Sequence, residues 1–213
     1  MVMSYTSPNW NTSVLITIDT QNDFTLPDAP AEIKGTAAVL PNMKSVLQAY
    51  RAQGLPIVHV IRLYKEDGSN VDISRKEAIE RGARIAAPNT DGAELVFEIR
   101  SPLYNSLDAN KLLQGAFQSI GEQEWVMYKS RWGAFYKTDL EPFLRARGID
   151  TIVFTGCNFP NCPRTSMYEA SERDFRVVMV ADSMSQVYEQ GIQEMSSIGV
   201  HVCGLDAVLA AIQ

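Results

Sequence analysis

A thiol, a carboxylate and an ammonium stand in this chain where each could act on a small molecule. Cys162 lies in TGCNFPNCPRTSMYEASERDF, Asp19 closes the run VLITID, and Lys129 follows EWVMY. A free thiol is mostly protonated at neutral pH and needs a base and a nearby cation to react. Asp19 is placed to take that proton and deliver it to a leaving amine. Lys129 would stabilise the thiolate and hold Asp19 ionised until it is needed. Backbone N–H groups from Asn158 to Cys162 would receive a carbonyl oxygen as it gains charge, an effect worth about 3 kcal/mol per donor. Such a trio supports attack on an amide-like carbonyl, loss of ammonia or an amine, then hydrolysis of a thioester.

These residues converge only if the intervening elements bring three strand ends together. Short apolar runs rich in β-branched residues alternate with helix-period segments, the pattern of a parallel sheet flanked by helices. The runs at 14–18, 56–61, 124–128, 151–154, 176–180 and 200–202 predict six strands. Helices are expected over 37–53, 73–80, 138–147, 164–173, 188–198 and 205–212. Gly54, Gly148 and Gly199 fall between a helix and the next strand, where a left-handed cap is wanted. The fold class is α/β: a three-layer α/β/α sandwich around a mostly parallel, about six-stranded sheet. Sheets of this kind bind ligands beyond the carboxyl ends of their strands, where Asp19, Lys129 and Cys162 fall. Residues 64–123 are long for a crossover. They read as a decorated connection, partly helical at 110–119, that covers the site or builds a contact between copies.

Composition narrows the function classes. With 213 residues, 46% of them hydrophobic, the chain can bury one sizeable core, so residues 1–213 are expected to form one domain. A net charge of −6 without a basic run argues against nucleic-acid and acidic-membrane partners. No signal peptide or membrane span is expected. Three cysteines, an odd number, fit a reducing cytoplasm better than a disulfide framework. Only two histidines, His59 and His201, are present, and no Cys pair has metal-ligand spacing, so neither a metal nor a cofactor is expected. Each His is read as a packed or hydrogen-bonded ring on a strand.

Three segments together resemble the isochorismatase-like cysteine hydrolases, a family that includes nicotinamidases, N-carbamoylsarcosine amidase, ureidoacrylate amidohydrolases and biuret hydrolase. They are the Asp of IDTQNDF, the Lys of YKSRWGAFYKTDLEPFL, and GCNFPNC followed by a helix and RVVMVAD. The resemblance implies a catalytic Asp19–Lys129–Cys162 triad and a homo-oligomer, dimer or tetramer. It also implies a non-proline cis peptide at Cys157–Asn158, with the Asn158 and Cys162 N–H groups forming an oxyanion hole. Nicotinamidases carry a metal on an Asp-x-His and further histidines after the second strand. The corresponding VHVIRLYKEDGSNVD lacks that cluster, so the expected substrate is a small amide, ureide or carbamoyl compound other than nicotinamide.

Further side chains are candidates for contact with that small-molecule substrate. Arg131 and Trp132 beside Lys129 suggest a site wall, since an aromatic surface next to a cation suits a small planar acid or amide. Phe24 and Asn22 follow Asp19 closely, and Phe159 either narrows the loop before the thiol or turns into the core. Arg164 could hold a substrate carboxylate or pair with Glu169 or Asp174. Asp23 is an alternative to Asp19 as the exposed carboxylate, and Cys157 could form a regulatory disulfide with Cys162 in a redox-responsive binder on the same scaffold.

Overall fold

The computed structural model describes residues 4–212. In chain order the elements are β1 (Ser13–Ile18), α1 (Asn22–Thr25), α2 (Thr36–Ala52), β2 (Ile57–Ile61), α3 (Ile73–Glu80), α4 (Ala109–Leu113), β3 (Gln118–Gly121), β4 (Glu124–Tyr128), α5 (Leu140–Arg145), β5 (Thr151–Gly156), α6 (Cys162–Ser171), β6 (Arg176–Met184), α7 (Glu189–Ser197), β7 (His201–Cys203) and α8 (Leu205–Ala211). One seven-stranded sheet runs in the order β3-β4-β2-β1-β5-β6-β7, and every pair is parallel except β3 with β4.

The central strands are buried on both faces, which is why their sequences are continuously apolar. In β1, Val14, Ile16 and Ile18 pack with Leu140 and Leu144 of α5, Met167 of α6 and Met195 of α7. Leu15 faces the opposite way, toward Leu40, Met43 and Leu47 of α2 and Val208 of α8. Helices therefore cover both faces, as the period-2 alternation of a strand requires. Gly54, Gly148 and Gly199 all take positive φ where a helix hands over to a strand.

Two expectations change. The helix expected over 110–119 ends early, because α4 stops at Leu113 and Gly115 turns left-handed at φ 86°, and a seventh strand, β3, takes its last two residues. The short edge segment QSIG is polar and half exposed, so it carries no alternating signature that a sequence could reveal. In addition, α6 begins at Cys162 itself rather than at Arg164.

The connection over 64–123 folds back over the carboxyl ends of the strands. Tyr64, Val71, Ile79, Ile85 and Ala86 form a small core with Phe24 and Cys157. Its anchors are the three residues Gln21, Asn22 and Asp23. Gln21 exchanges hydrogen bonds with the backbone of Arg62 and also donates to the Ala93 carbonyl. Asn22 Nδ2 donates to the Asp91 carbonyl at 2.6 Å, and Asp23 Oδ2 accepts from the Ala86 N–H at 2.7 Å. Asp23 is thus committed to the backbone. Asn22, expected to touch substrate, instead fastens the turn at Asp91 through its side-chain nitrogen and does not line the pocket around the thiol.

Under the central strands lies a buried polar chain. The His59 ring joins Thr17 Oγ1 and Glu124 Oε1, each at 2.7 Å, and Arg51 holds the same carboxylate through Nε at 2.9 Å and Nη2 at 2.7 Å. Burial alone would raise the Glu124 pKa, but the Arg51 and His59 hydrogen bonds outweigh it and bring the group down from 4.5 to about 2. A folded-state value below the unfolded one means stability present above about 4.5 and lost as pH falls toward about 2. Glu124→Gln should cost about 3 kcal/mol near neutral pH, because it strands a buried partner. The loss should shrink in acid, where the wild-type carboxylate is itself protonated. Urea unfolding of both proteins at several pH values measures this.

Candidate active site

Four adjacent strands end in polar residues. Lys129 follows β4, Arg62 follows β2, Asp19 follows β1, and the turn after β5 leads to Cys162. The sheet ladder runs one residue further to set two of them: Asp19 N–H donates to the Val60 carbonyl at 2.9 Å and Lys129 N–H to the Ile61 carbonyl at 3.0 Å. Asp19 has φ 51°, a bend that turns its carboxylate out of the strand direction. Its Oδ2 accepts from Lys129 Nζ at 2.9 Å, with Lys129 fully buried. Its Oδ1 is buried and accepts no hydrogen bond.

The turn carrying the thiol is held close against β1. Gly156 has φ 116°, and a Cβ there would lie 2.3 Å from the Ile18 carbonyl oxygen, so only glycine fits. Cys157 N–H donates to Ile18 O at 2.9 Å and its Sγ–H to the Asp19 carbonyl at 3.0 Å. The Cys157–Asn158 peptide is cis. Cys162 opens α6, and Pro163 occupies the first turn, where its missing N–H leaves no bond unmade. Among the described residues, neither the Asn158 nor the Cys162 backbone N–H has an acceptor.

The resting thiol is held protonated. Burial pushes the Cys162 pKa up and the Asp19 charge pushes it further, while Lys129 and Arg62 oppose them. Lys129 and Arg62 therefore do not by themselves bring the thiol down to a thiolate, and a base is needed as well. What the geometry supplies is a protonated thiol beside a carboxylate that has a free oxygen.

Asp19, Phe24, Ile33, Arg62, Tyr64, Arg75, Trp132, Cys157, Asn158, Asn161 and Cys162 line the pocket around the thiol, which has about 20 Å³ of free volume. A single water needs roughly 10–15 Å³, so the pocket as folded has room for little more than one. Phe24 and Trp132 thus meet the sulfur's pocket as expected. Three other candidates do not. Arg131 turns away to donate to the Asn70 and Ser130 carbonyls, leaving only its own carbonyl to accept from Lys129 Nζ. Phe159 is fully buried and packs edge-on against Tyr188, closely approached by Gly191. Arg164 pairs with Glu194 on α7 and donates to the Tyr188 and Tyr168 hydroxyls, so neither Glu169 nor Asp174 is its partner.

Arg62 escaped the sequence reading, as did its companions Tyr64, Asp72 and Arg75. The signal was present, since Arg62 ends an apolar strand just as Asp19 and Lys129 do. The guanidinium is 2% exposed, between the rings of Trp132 and Tyr64 at 5.5 and 5.7 Å. Nη1 donates to Asp72 Oδ2 at 3.2 Å, and Nη2 lies 3.8 Å from Cys162 Sγ. Asp72 stays ionised because its bonds to Ser74, Arg62 and Tyr64 outweigh the effect of burial. A buried guanidinium repels a metal cation, and among the described residues no cluster of three His, Cys, Asp or Glu could hold one. The residues after β2 do not fit a metal site.

Residues 13–207 match the isochorismatase domain. The chain belongs to that family. It is 28% identical to a protein of Arabidopsis thaliana named as a probable inactive nicotinamidase, over 90% of this chain and 91% of that one. It is 26% identical to maleamate amidohydrolase of Pseudomonas putida, over 86% of this chain and 78% of the relative. An isochorismatase family protein from Desulfovibrio vulgaris superposes with a TM-score of 0.81 at 31% identity, covering 94% and 98% of the two chains.

The opposing influences on the thiol make a signed prediction. Lys129→Ala should raise the Cys162 pKa and slow its alkylation by iodoacetamide near neutral pH. Asp19→Asn should lower it and speed alkylation. Rate against pH for the two variants and wild type reads both shifts, and equal profiles would contradict the proposed coupling.

Proposed function

We propose that this protein is an amidohydrolase in which Cys162 attacks a small amide, ureide or carbamoyl carbon and Asp19 shuttles the proton. The observation that carries this reading is the thiol at a helix start, facing an ion-paired carboxylate with one uncommitted oxygen. Relatives named as amidohydrolases support the same class of reaction.

In this reading the substrate carbonyl oxygen accepts from the free N–H groups of Asn158 and Cys162. Asp19 Oδ1 takes the thiol proton as Sγ bonds to the carbon, so the thiolate forms only when an electrophile is present. Lys129 keeps the carboxylate in place and ionised beforehand. The oxyanion gains charge against fixed donors that need no reorganisation. Protonated Asp19 then gives its proton to the nitrogen, the C–N bond breaks, and a thioester remains. A water enters the space that the amine leaves, Asp19 accepts its proton, and attack on the thioester carbon releases the acid and restores the thiol.

Nicotinamide is not the substrate in this proposal, because Arg62 and Tyr64 occupy the ground after β2. The family's usual self-association would use the connection over 64–123, where Phe97 and Leu103 are 80% and 75% exposed.

Cys162→Ala should lower ammonia release from a panel of short amides, ureides and carbamates by at least about a thousandfold. Intact mass spectrometry on wild type during turnover should show an acyl adduct on Cys162. A reversible loss of two protons between Cys157 and Cys162, with no adduct from any amide, would instead favour the redox-responsive binder.

A further inference from the structure

The pocket holds more positive charge than its own chemistry uses. Arg62 and Arg75 line it with a single carboxylate, Asp19, while Lys129 and Asp72 stand behind the wall as partners of Asp19 and Arg62, in a chain whose net charge is −6. Lys129 is committed to Asp19, and Arg62 shares one nitrogen with Asp72. The other nitrogens of Arg62 are less engaged. Nη2 has only the weak sulfur contact at 3.8 Å, and Nε is buried with no acceptor at all. A buried donor left unsatisfied destabilises the fold unless something fills the vacancy. Arg75, half-buried on α3, lies 5.6 Å from the centre of the Phe24 ring and makes no ion pair among the described residues.

Protonation does not relieve this excess. Burial disfavours the charged Arg62, but Asp19 and the other acidic groups around it hold its pKa above the usual arginine value. Transfer of the thiol proton to Asp19 moves charge within the pocket without changing its sum. The remedy that fits is an anion brought in by the substrate, and a planar guanidinium with vacant donors matches a carboxylate best.

We propose that Arg62 and Arg75 recognise a carboxylate on the substrate, so that the preferred substrate is a short amide that is also an acid. Because Arg62 lies beside the sulfur, the carboxylate sits only a few bonds from the scissile carbon, as in a monoamide of a four-carbon dicarboxylic acid. Trp132 and Tyr64, flanking the guanidinium, hold that carboxylate's partner in one plane. The amide end of this assignment rests on the proposed hydrolysis, whereas the anion site does not.

Two measurements test it. Succinamate and succinamide differ in one end group, and kcat/KM should favour the acid by about tenfold or more, the worth of a charged hydrogen bond. Arg62→Met and Arg75→Gln should each reduce that preference. The second readout requires no turnover. Iodoacetate and iodoacetamide should alkylate Cys162 in a rate ratio shifted toward iodoacetate by about tenfold or more relative to a free thiol such as glutathione, and succinate should slow both. Ammonia from succinamide but not from succinamate, with a glutathione-like alkylation ratio, would overturn the carboxylate site and leave the hydrolase reading intact. No ammonia from either compound, with a shifted ratio and succinate protection, would do the reverse. A glutathione-like ratio with no protection overturns the inference whatever the variants do, so their folding does not decide the matter.

Discussion

Everything at the carboxyl edge of this sheet is arranged around one desolvated ion pair, Lys129 with Asp19. Removing two charges from water costs several kcal/mol per ion, and the mutual attraction offsets that only when geometry is good and remaining groups are satisfied. The geometry comes from the strands on either side of β2, because ladder bonds from Asp19 to the Val60 carbonyl and from Lys129 to the Ile61 carbonyl fix both backbones. Lys129 Nζ finds a second acceptor in the Arg131 carbonyl. Asp19 Oδ1 finds none. Arg62 Nε is the other buried polar atom at the site without a partner, so the ion pair leaves one acceptor and one donor open beside the sulfur.

The same ion pair explains why the thiol rests neutral. A carboxylate near a buried sulfur disfavours a second negative charge, and the two cations nearby do not overcome it. A protonated thiol is less open to stray oxidation, since thiolate character governs that reactivity. Cys157, also buried and held well above its ordinary pKa, is spent on the Asp19 carbonyl and keeps the acidic turn in place. Arg62 is the element that this account would lack if the site were read as three residues alone. Its position depends on Gln21, which holds its backbone, and on Asp72, which comes from the covering connection. The cover and the cation are therefore one construction.

Much of the fold was legible because burial on both sheet faces imposes long apolar runs, and because glycines mark the helix-to-strand turns. The strand β4 and the helix α3 have the bounds that patterning suggested. The edge strand β3 was not legible, since a half-exposed strand of four residues is under no such compositional constraint. At the site, the residue types next to strand ends pointed to Asp19, Lys129 and Cys162, and the structure gathers Asp19 and Cys162 with Phe24 and Trp132 at one pocket, with Lys129 paired to Asp19 behind it. Asn22, Arg131, Phe159 and Arg164 were misplaced because sequence proximity to a reacting group says nothing about which way a side chain leaves the backbone.

The sequence by itself determined the alternating architecture, the strand-end chemistry and the family, because each is written in local pattern and residue type. Tertiary structure alone decided that Arg62 stands beside the sulfur, that the connection over 64–123 covers the pocket, and that burial and Asp19 push the thiol's pKa up. Those properties depend on distances between groups far apart in the chain and on the loss of water around them. Neither quantity exists until the sheet has assembled.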